Sequence, residues 1–400
     1  MEGFLEMVTS NKGFTLIEVV VVLAIVAIMG SAITPLVVRV INNKREKATI
    51  EALKEFKRAI IGDPAIVSKE VRTYFGYIGD MGSLPARIED LYQKGAQPSF
   101  TYDTTKKTGA GWNGPYIDPS LVENLASLKL DDYGNEFTYD TTEFTDSTVG
   151  VTVSAKIASK GLDGIPGGGN DLSAYIYKTE AFSKVIGFVK DIEGNSVPGV
   201  ETKINYPSVG TLTEATTTTD IDGLYQFTGI PYGNRSVTVV PKLVYAAGSG
   251  ITKGANFNDV EFKITNFAAN DISITSIKIT YTVTPEAFFK EVKIAGQSVY
   301  NSENPRGSSG DIITFSPITI TGTGAGISGK SFPIRIQSPT TQVADINIGK
   351  GAGKGGTAKV EIKQFKDAIS GGANPVDMTG VTFTIEFSDG SVILFSPERG

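Results

Sequence analysis

The 400-residue sequence contains neither cysteine nor histidine. Without cysteine no disulfide can brace any part of the chain, so each domain must be held by its own apolar core. Without histidine, Ser-His-Asp and Cys-His catalysis and most zinc sites are excluded. A bound metal would have to be held by oxygen ligands. No coherent pair of carboxylates offers acid–base chemistry instead, so an enzyme is disfavoured. Positive charge is short as well: 37 Lys and Arg against 43 Asp and Glu, a formal net charge of -6. That balance gives no support to a nucleic-acid partner, which would need a concentrated basic face. What is present is ordinary for globular protein, with 20% charged and 40% hydrophobic residues. The length suits roughly two to four domains. The 45 glycines, among many Ser and Thr, point to a loop-rich and mostly β body.

One stretch departs from this average. From Phe14 to Val38 the chain reads FTLIEVVVVLAIVAIMGSAITPLVV, with Glu18 as its only charge. Spanning a bilayer takes roughly 20 apolar residues, so the segment can cross a membrane as a helix. Asn11 and Lys12 lie before it; Arg39, Lys44, Arg45 and Lys47 follow it. An ordinary anchor or a secretory signal peptide would also supply an apolar run, and Gly30-Ser31-Ala32 could pass for a signal cleavage site. Glu18 argues against both. A carboxylate in a membrane segment costs about 2.5–3.5 kcal/mol at mid-membrane, less toward the interface, and calls for a cation or donor.

The residues Lys12-Gly13-Phe14-Thr15-Leu16-Ile17-Glu18 resemble the processing site of type IV prepilins and type II secretion pseudopilins. The resemblance implies a membrane prepilin peptidase that cuts after Gly13 and methylates the new terminal residue, Phe14. It further implies that Glu18 pairs with the terminal amine of a neighbouring subunit, and a paired buried charge is far less costly than a lone one. Pro35 lies at the depth where many pilins carry a proline, which kinks a helix by removing a hydrogen bond. Met1 or Met7 could be the true start, Met7 leaving the short leader MVTSNKG.

Beyond the apolar run, Leu53, Phe56 and Ile60 form one apolar stripe at spacings of three and four, with a solvated charged face opposite. Asp63-Pro64 is expected to end a helix of roughly 70 Å. Further on, Gly111-Trp112-Asn113-Gly114-Pro115-Tyr116 and Asp132-Tyr133-Gly134-Asn135-Glu136-Phe137 resemble elements of the major pseudopilin of type II secretion. The stretch from Ser159 through Asp163 and Gly167 to Asp171 resembles that family's closing loop. In those relatives the loop binds calcium, which implies Ser159, Asp163 and Asp171 as metal-binding residues here. A solvated Gly-Asp turn is the plainer alternative, and Asp131 and Asp132 read as turn formers.

Residues 184–248 resemble in strand and turn spacing the regulatory-like β-sandwich beside some carboxypeptidases, with Tyr225 and Phe227 directed to a core. Residues 249–400 show period-2 alternation, as at Val260–Ile264, Ile277–Tyr281 and Phe383–Phe387, and read as an immunoglobulin-like sandwich. The string Gly324–Ser331 matches a phosphate loop, yet a strand-like, proline-broken segment follows where that loop needs a helix.

The expected fold is therefore α+β: a long N-terminal helix with a pilin-like α/β head, then two all-β sandwiches. The expected boundaries are leader 1–13, helix 14–62, head 63–183 and sandwiches 184–248 and 249–400. The expected role is a structural subunit of an extracellular type IV pilus-like filament. It would reside in the inner membrane before assembly. Its partners would be copies of itself, the prepilin peptidase and an inner-membrane assembly platform, with calcium as a possible ligand. A secretion pseudopilin and a non-polymerising membrane-anchored adhesin are the competing readings.

Overall fold

The computed structural model describes residues 13–121, 124–191, 194–240, 242–268, 270–322, 331–348, 355–371 and 373–400. The leader before Gly13, most of the Gly324–Ser331 string and Gly349–Lys354 lie outside the described residues. The chain forms two compact units. One comprises the described part of Met1–Phe56 with Ser120–Asp140 and Lys156–Ala174; the other comprises Lys57–Pro119, Thr141–Ala155 and Tyr175–Gly400.

Helix α1 runs from Leu16 to Ile61 without interruption, Pro35 included. At about 1.5 Å per residue it reaches ~70 Å. Its apolar first half is exposed throughout, from Ile17 at 67% to Val38 at 49%. Its second half buries the expected stripe: Leu53 and Phe56 are 3% exposed and Ile60 is fully buried. In the first unit the Phe56 ring meets Phe137 edge-on at 5.2 Å. The helix stops one residue before the expected Asp63-Pro64 signal. Gly62 takes a φ of +79°, and its N–H donates to the Arg58 carbonyl. A side chain at Gly62 would strike the Tyr74 carbonyl, so the left-handed turn there requires glycine.

Strands β1 (Asp63–Ser68) and β2 (Val71–Tyr74) form a hairpin directly after α1, and the short helix α2 (Gly76–Met81) follows. Strands β3 (Thr101–Asp103) and β4 (Thr108–Ala110) form a second hairpin. Strands β5 (Thr138–Asp140), β6 (Phe144–Asp146), β7 (Val151–Ser159) and β8 (Leu172–Tyr177) follow. The last residues of β7 pair with β5 and its first residues with β6.

The remaining strands form two double-layered β-structures. Strands β9 (Phe182–Lys190), β10 (Glu201–Ser208), β11 (Thr211–Thr218), β12 (Leu224–Pro231) and β13 (Gly233–Val240) build most of the first. Tyr225 and Phe227 alternate into its core, as their spacing predicts, beside Val185, Ile204 and Val237. The second uses β14 (Leu243–Tyr245), β15 (Ile251–Lys253), β16 (Asp259–Asn266), β17 (Ile272–Tyr281), β18 (Glu291–Ile294), β19 (Gln297–Asn301) and β20 (Ile312–Ile320). Three later strands, β21 (Ser331–Ile336), β22 (Thr340–Gln342) and β23 (Ile346–Asn347), return to the first sandwich. There β21 pairs antiparallel with β13, while β22 and β23 pair parallel with β9. The chain then crosses back for β24 (Thr357–Lys363), β25 (Phe383–Phe387), β26 (Val392–Phe395) and β27 (Glu398–Arg399).

The expected boundary at 248/249 thus does not coincide with the sheets. Residues 331–348 supply edge strands to the first sandwich, and Ile336, Ile346 and Ile348 fill its core. Pro333 fits this place, because β21 is hydrogen-bonded on one side only and can spare a donor. The second sandwich closes around Phe262, Ile277, Ile279, Val360, Phe383 and Ile385, all fully buried. All of these but Val360 lie in the segments whose alternation marks them as inward-facing.

Candidate functional site

Two groups of sequence-predicted residues are placed by different elements. Gly13 and Phe14 precede α1, and Glu18 and Pro35 lie within it; Ser159 ends β7, and Asp163 and Asp171 lie in the loop between β7 and β8.

At the first site the backbone enters α1 through a reciprocal cap. Thr15 Oγ1 accepts the Glu18 N–H at 3.3 Å, while Glu18 Oε2 accepts the Thr15 N–H and hydroxyl, both at 2.9 Å. This is a Thr-x-x-Glu capping box, which satisfies otherwise orphan helix donors and favours a negative charge at the helix start. Its signature is plain in Thr15-Leu16-Ile17-Glu18, yet a reading directed at processing passes over it. The cap folds the Glu18 carboxylate back toward the residue that follows Phe14. Phe14 is 85% exposed, and nothing lies within 4 Å of where a Gly13 side chain would begin. Glycine at position 13 is therefore not demanded by packing in this fold.

Further along the helix, Ser31 Oγ donates to the Ile28 carbonyl and Thr34 Oγ1 donates to the Gly30 carbonyl. Such side-chain bonds compete with the backbone ladder and loosen it. Pro35 removes one N–H from the same stretch. These three features fall together between Ile28 and Pro35 of an otherwise continuous helix.

At the second site the structure separates the three expected residues. Ser159 is buried, and its hydroxyl donates to Asp131 Oδ2 at 2.5 Å while accepting the Gly161 N–H. Asp131 Oδ1 also accepts from the N–H groups of Tyr133 and Asn135. Asp131 therefore is the turn former that the sequence suggests and, in addition, the anchor that ties this turn to the end of β7. That second role is hidden in the sequence because 28 residues separate it from Ser159.

Asp163 and Asp171 meet around the Gly167–Gly168 turn. Asp171 Oδ2 accepts the Gly167 N–H at 2.6 Å, and a Gly168 side chain would come within 2.9 Å of Asp163 Oδ2. Asp163 Oδ1 accepts the Ile165 N–H, and the Asn170 amide donates to the same oxygen. Asp171 Oδ1 is buried without a hydrogen-bond partner. An orphan carboxylate oxygen in a glycine-rich turn suits a hard cation. Among the described residues no cluster of three or more acidic side chains accompanies it. Carbonyl and neutral oxygens would have to complete any shell.

Residues 9–34 match the family model for the prokaryotic N-terminal methylation motif. No curated protein matches the chain. Among solved structures, the full-length major pilin SpaD from Corynebacterium diphtheriae is 11% identical over 55% of this chain and 65% of its own, with a TM-score of 0.20. A DUF3823 family protein from Bacteroides uniformis is 12% identical over 54% of this chain and 97% of its own, also at 0.20. The major pilin subunit BcpA of Bacillus cereus is 12% identical over 54% of this chain and 67% of its own, at 0.14. The chain spans about 65% of the length of SpaD, and no functional reading rests on likenesses this loose. The N-terminal motif is the informative match: the chain carries a pilin-type methylation segment on an apolar helix long enough to cross a membrane.

Proposed function

We propose that this chain is the precursor of a structural subunit of an extracellular type IV pilus-like filament, cut after Gly13 and polymerised through the first half of α1. One observation carries this reading. The matched motif sits on an apolar helical segment that is exposed on all sides, with a single, already oriented carboxylate at its start. A lipid bilayer satisfies such a surface before assembly, and a bundle of identical helices satisfies it afterwards. Cleavage would create an amine at Phe14, one residue from the Thr15 cap. A neighbouring subunit's amine would then give Glu18 the cation it lacks in apolar surroundings. Because Gly13 has open space around it, the need for glycine falls on the narrow cleft of a peptidase rather than on this fold.

The inner membrane, the prepilin peptidase and an assembly platform are the partners this reading requires. The two sandwiches, of carboxypeptidase-regulatory and immunoglobulin type in this reading, would stand on the filament's outside. The test is direct. Sheared surface material should contain filaments whose subunit begins at Phe14, with that residue methylated. A subunit still beginning before Gly13, or found only in membranes, would overturn the proposal. Loss of protein secretion in a deletion strain that still bears filaments would favour the secretion pseudopilin instead.

We also propose that the loop between β7 and β8 takes calcium, with Asp163 and Asp171 as its carboxylates. The unpartnered Asp171 Oδ1 supports this. Ser159 would act indirectly, since its hydroxyl already serves Asp131. A bound calcium ion would neutralise the two carboxylates and fix the glycine-rich turn. Chelation should lower the Tm of the protein, and Asp171→Asn should abolish that response. An unchanged Tm on chelation overturns the calcium assignment while leaving the filament reading intact.

A further inference from the structure

Within the larger unit a cavity of about 320 Å³ opens between α2, the β3–β4 hairpin and the start of β13. Its volume is at the lower end of the range of about 300–1,000 Å³ for small-molecule sites. Its composition narrows what could occupy it. Tyr74, Phe100 and Tyr102 bring aromatic rings to its walls, and the Tyr102 ring is 58% exposed. Asp80, Asn113 and Arg235 bring polar groups.

Those polar groups are held in place by the fold. Tyr116 accepts the Asn113 N–H at 3.0 Å and donates its own hydroxyl to Asp80 Oδ2 at 3.1 Å. Arg235 is 1% exposed, and its guanidinium is spent on backbone carbonyls of Gly79, Pro231, Tyr232 and Asn234. It contributes a fixed positive charge that acts on Asp80 but offers no free fork to a ligand. Burial raises the Asp80 carboxyl to about 6, against the opposing pulls of the Tyr116 hydroxyl, of Arg235 and of a hydrogen bond from the Asn113 side chain. A carboxylate with spare acceptor capacity therefore faces a cavity with aromatic walls.

Four ligand classes can be compared on this chemistry. An anion would meet the Asp80 carboxylate with no free arginine donor to offset it. A second cation would sit beside the buried guanidinium. A purely apolar ligand would strip water from Asp80 and give nothing back, a cost of about 1–3 kcal/mol or more. A neutral ligand with several hydroxyls and an apolar ring face meets none of these penalties. Its hydroxyls can donate to Asp80 and exchange bonds with the Asn113 amide, and its ring face can lie on tyrosine.

We propose that this cavity is a saccharide-binding site, with Tyr102 as the stacking platform and Asp80 as the hydroxyl acceptor. Such a site would let the body of the subunit, independently of α1, hold a neutral glycan. Trp112, the one tryptophan of the sequence, packs edge-on against Tyr116 at 5.9 Å and reports on the pocket by fluorescence.

The experiment titrates a panel of neutral methyl hexopyranosides and N-acetylhexosaminides into the full chain, held in a zwitterionic detergent that carries no sugar. Tryptophan emission and ligand NMR saturation transfer are read together. At least one member is expected to bind saturably, and Tyr102→Ala is expected to weaken it by about tenfold or more. Tyr102 is exposed, so its truncation leaves the fold intact; Asp80→Asn should weaken the same ligand. Absence of saturable binding across the panel overturns the proposal. So does binding indifferent to Tyr102→Ala, or a saturable response to n-butylammonium in place of the sugars.

Discussion

The first half of α1 and the second sandwich are both rich in branched apolar residues, and the fold treats them oppositely. Val20, Val21 and Val22 are each at least half exposed, whereas Ile277, Ile279 and Val360 are fully buried. The sandwich finds its partners within its own chain, through period-2 strands whose inner faces meet. The helix finds none, because its apolar residues cover every side and no single stripe can be turned inward. Equal hydrophobicity thus encodes two destinations: a core formed on folding, and a surface satisfied by membrane or by other copies.

The comparison can be broken most severely at Glu18. Glu18→Ala should leave cleavage after Gly13 largely intact and reduce filaments to background, as seen by electron microscopy and N-terminal sequencing. Normal filaments from that variant would remove the charge pair from the account. The next effect is on stability. Phe262→Ala opens the sandwich core and should cost about 3–5 kcal/mol, read as a lower midpoint in denaturant. Val22→Ala removes comparable chemistry from α1 and should leave the monomer's midpoint unchanged. A matching loss at Val22 would mean that this half of the helix folds against its own chain after all.

A smaller effect concerns pH. Because burial holds the Asp80 carboxyl up near 6 in the folded protein, above its ordinary value of 3.8, the native state keeps a proton that the unfolded chain releases. The stability this supplies is complete below about pH 4 and is lost as pH rises through 6. Tyr116, Arg235 and the Asn113 side chain face this carboxyl. Asp80→Asn should flatten the decline and raise stability at pH 7 by up to about 2–3 kcal/mol. A decline of the same slope in the variant would place its origin elsewhere. The smallest effect is expected at Lys54 and Glu51, whose 2.8 Å pair is 66% and 71% exposed. Lys54→Ala should change stability by no more than about 0.5 kcal/mol.

Local features of this fold are well marked in the sequence. The stripe at Leu53, Phe56 and Ile60, the inward alternation at Tyr225 and Phe227, and the strand after the phosphate-loop string all follow from spacing and residue type. Pairing at a distance is not marked. A strand displays which face it buries but not which strand it joins, and the Val237–Phe332 register spans the whole first part of the second sandwich. Loop length is a weak guide to pairing, because closure costs grow only slowly with it. Arg235 shows the same limit at a site. Nothing in the sequence around Arg235 marks it as buried, and the carbonyls of Gly79, Pro231, Tyr232 and Asn234 that make burial of its charge tolerable are gathered only by the fold. Ser159 reads from the sequence as a metal-binding residue, and its hydrogen bond to Asp131, 28 residues away, is not marked there.

The return of residues 331–348 to the first sandwich has a mechanical consequence. The chain passes between the two sandwiches three times: after Val240, between Ile320 and Ser331, and between Ile348 and Thr357. A single proteolytic nick in one crossing leaves two continuous peptide connections, so the second sandwich stays attached to the first. Tension between the two sandwiches is divided among three strands of backbone rather than carried by one. A truncation after residue 248 does not release an intact first sandwich either, since it removes β21, β22 and β23 from the edges of both its sheets.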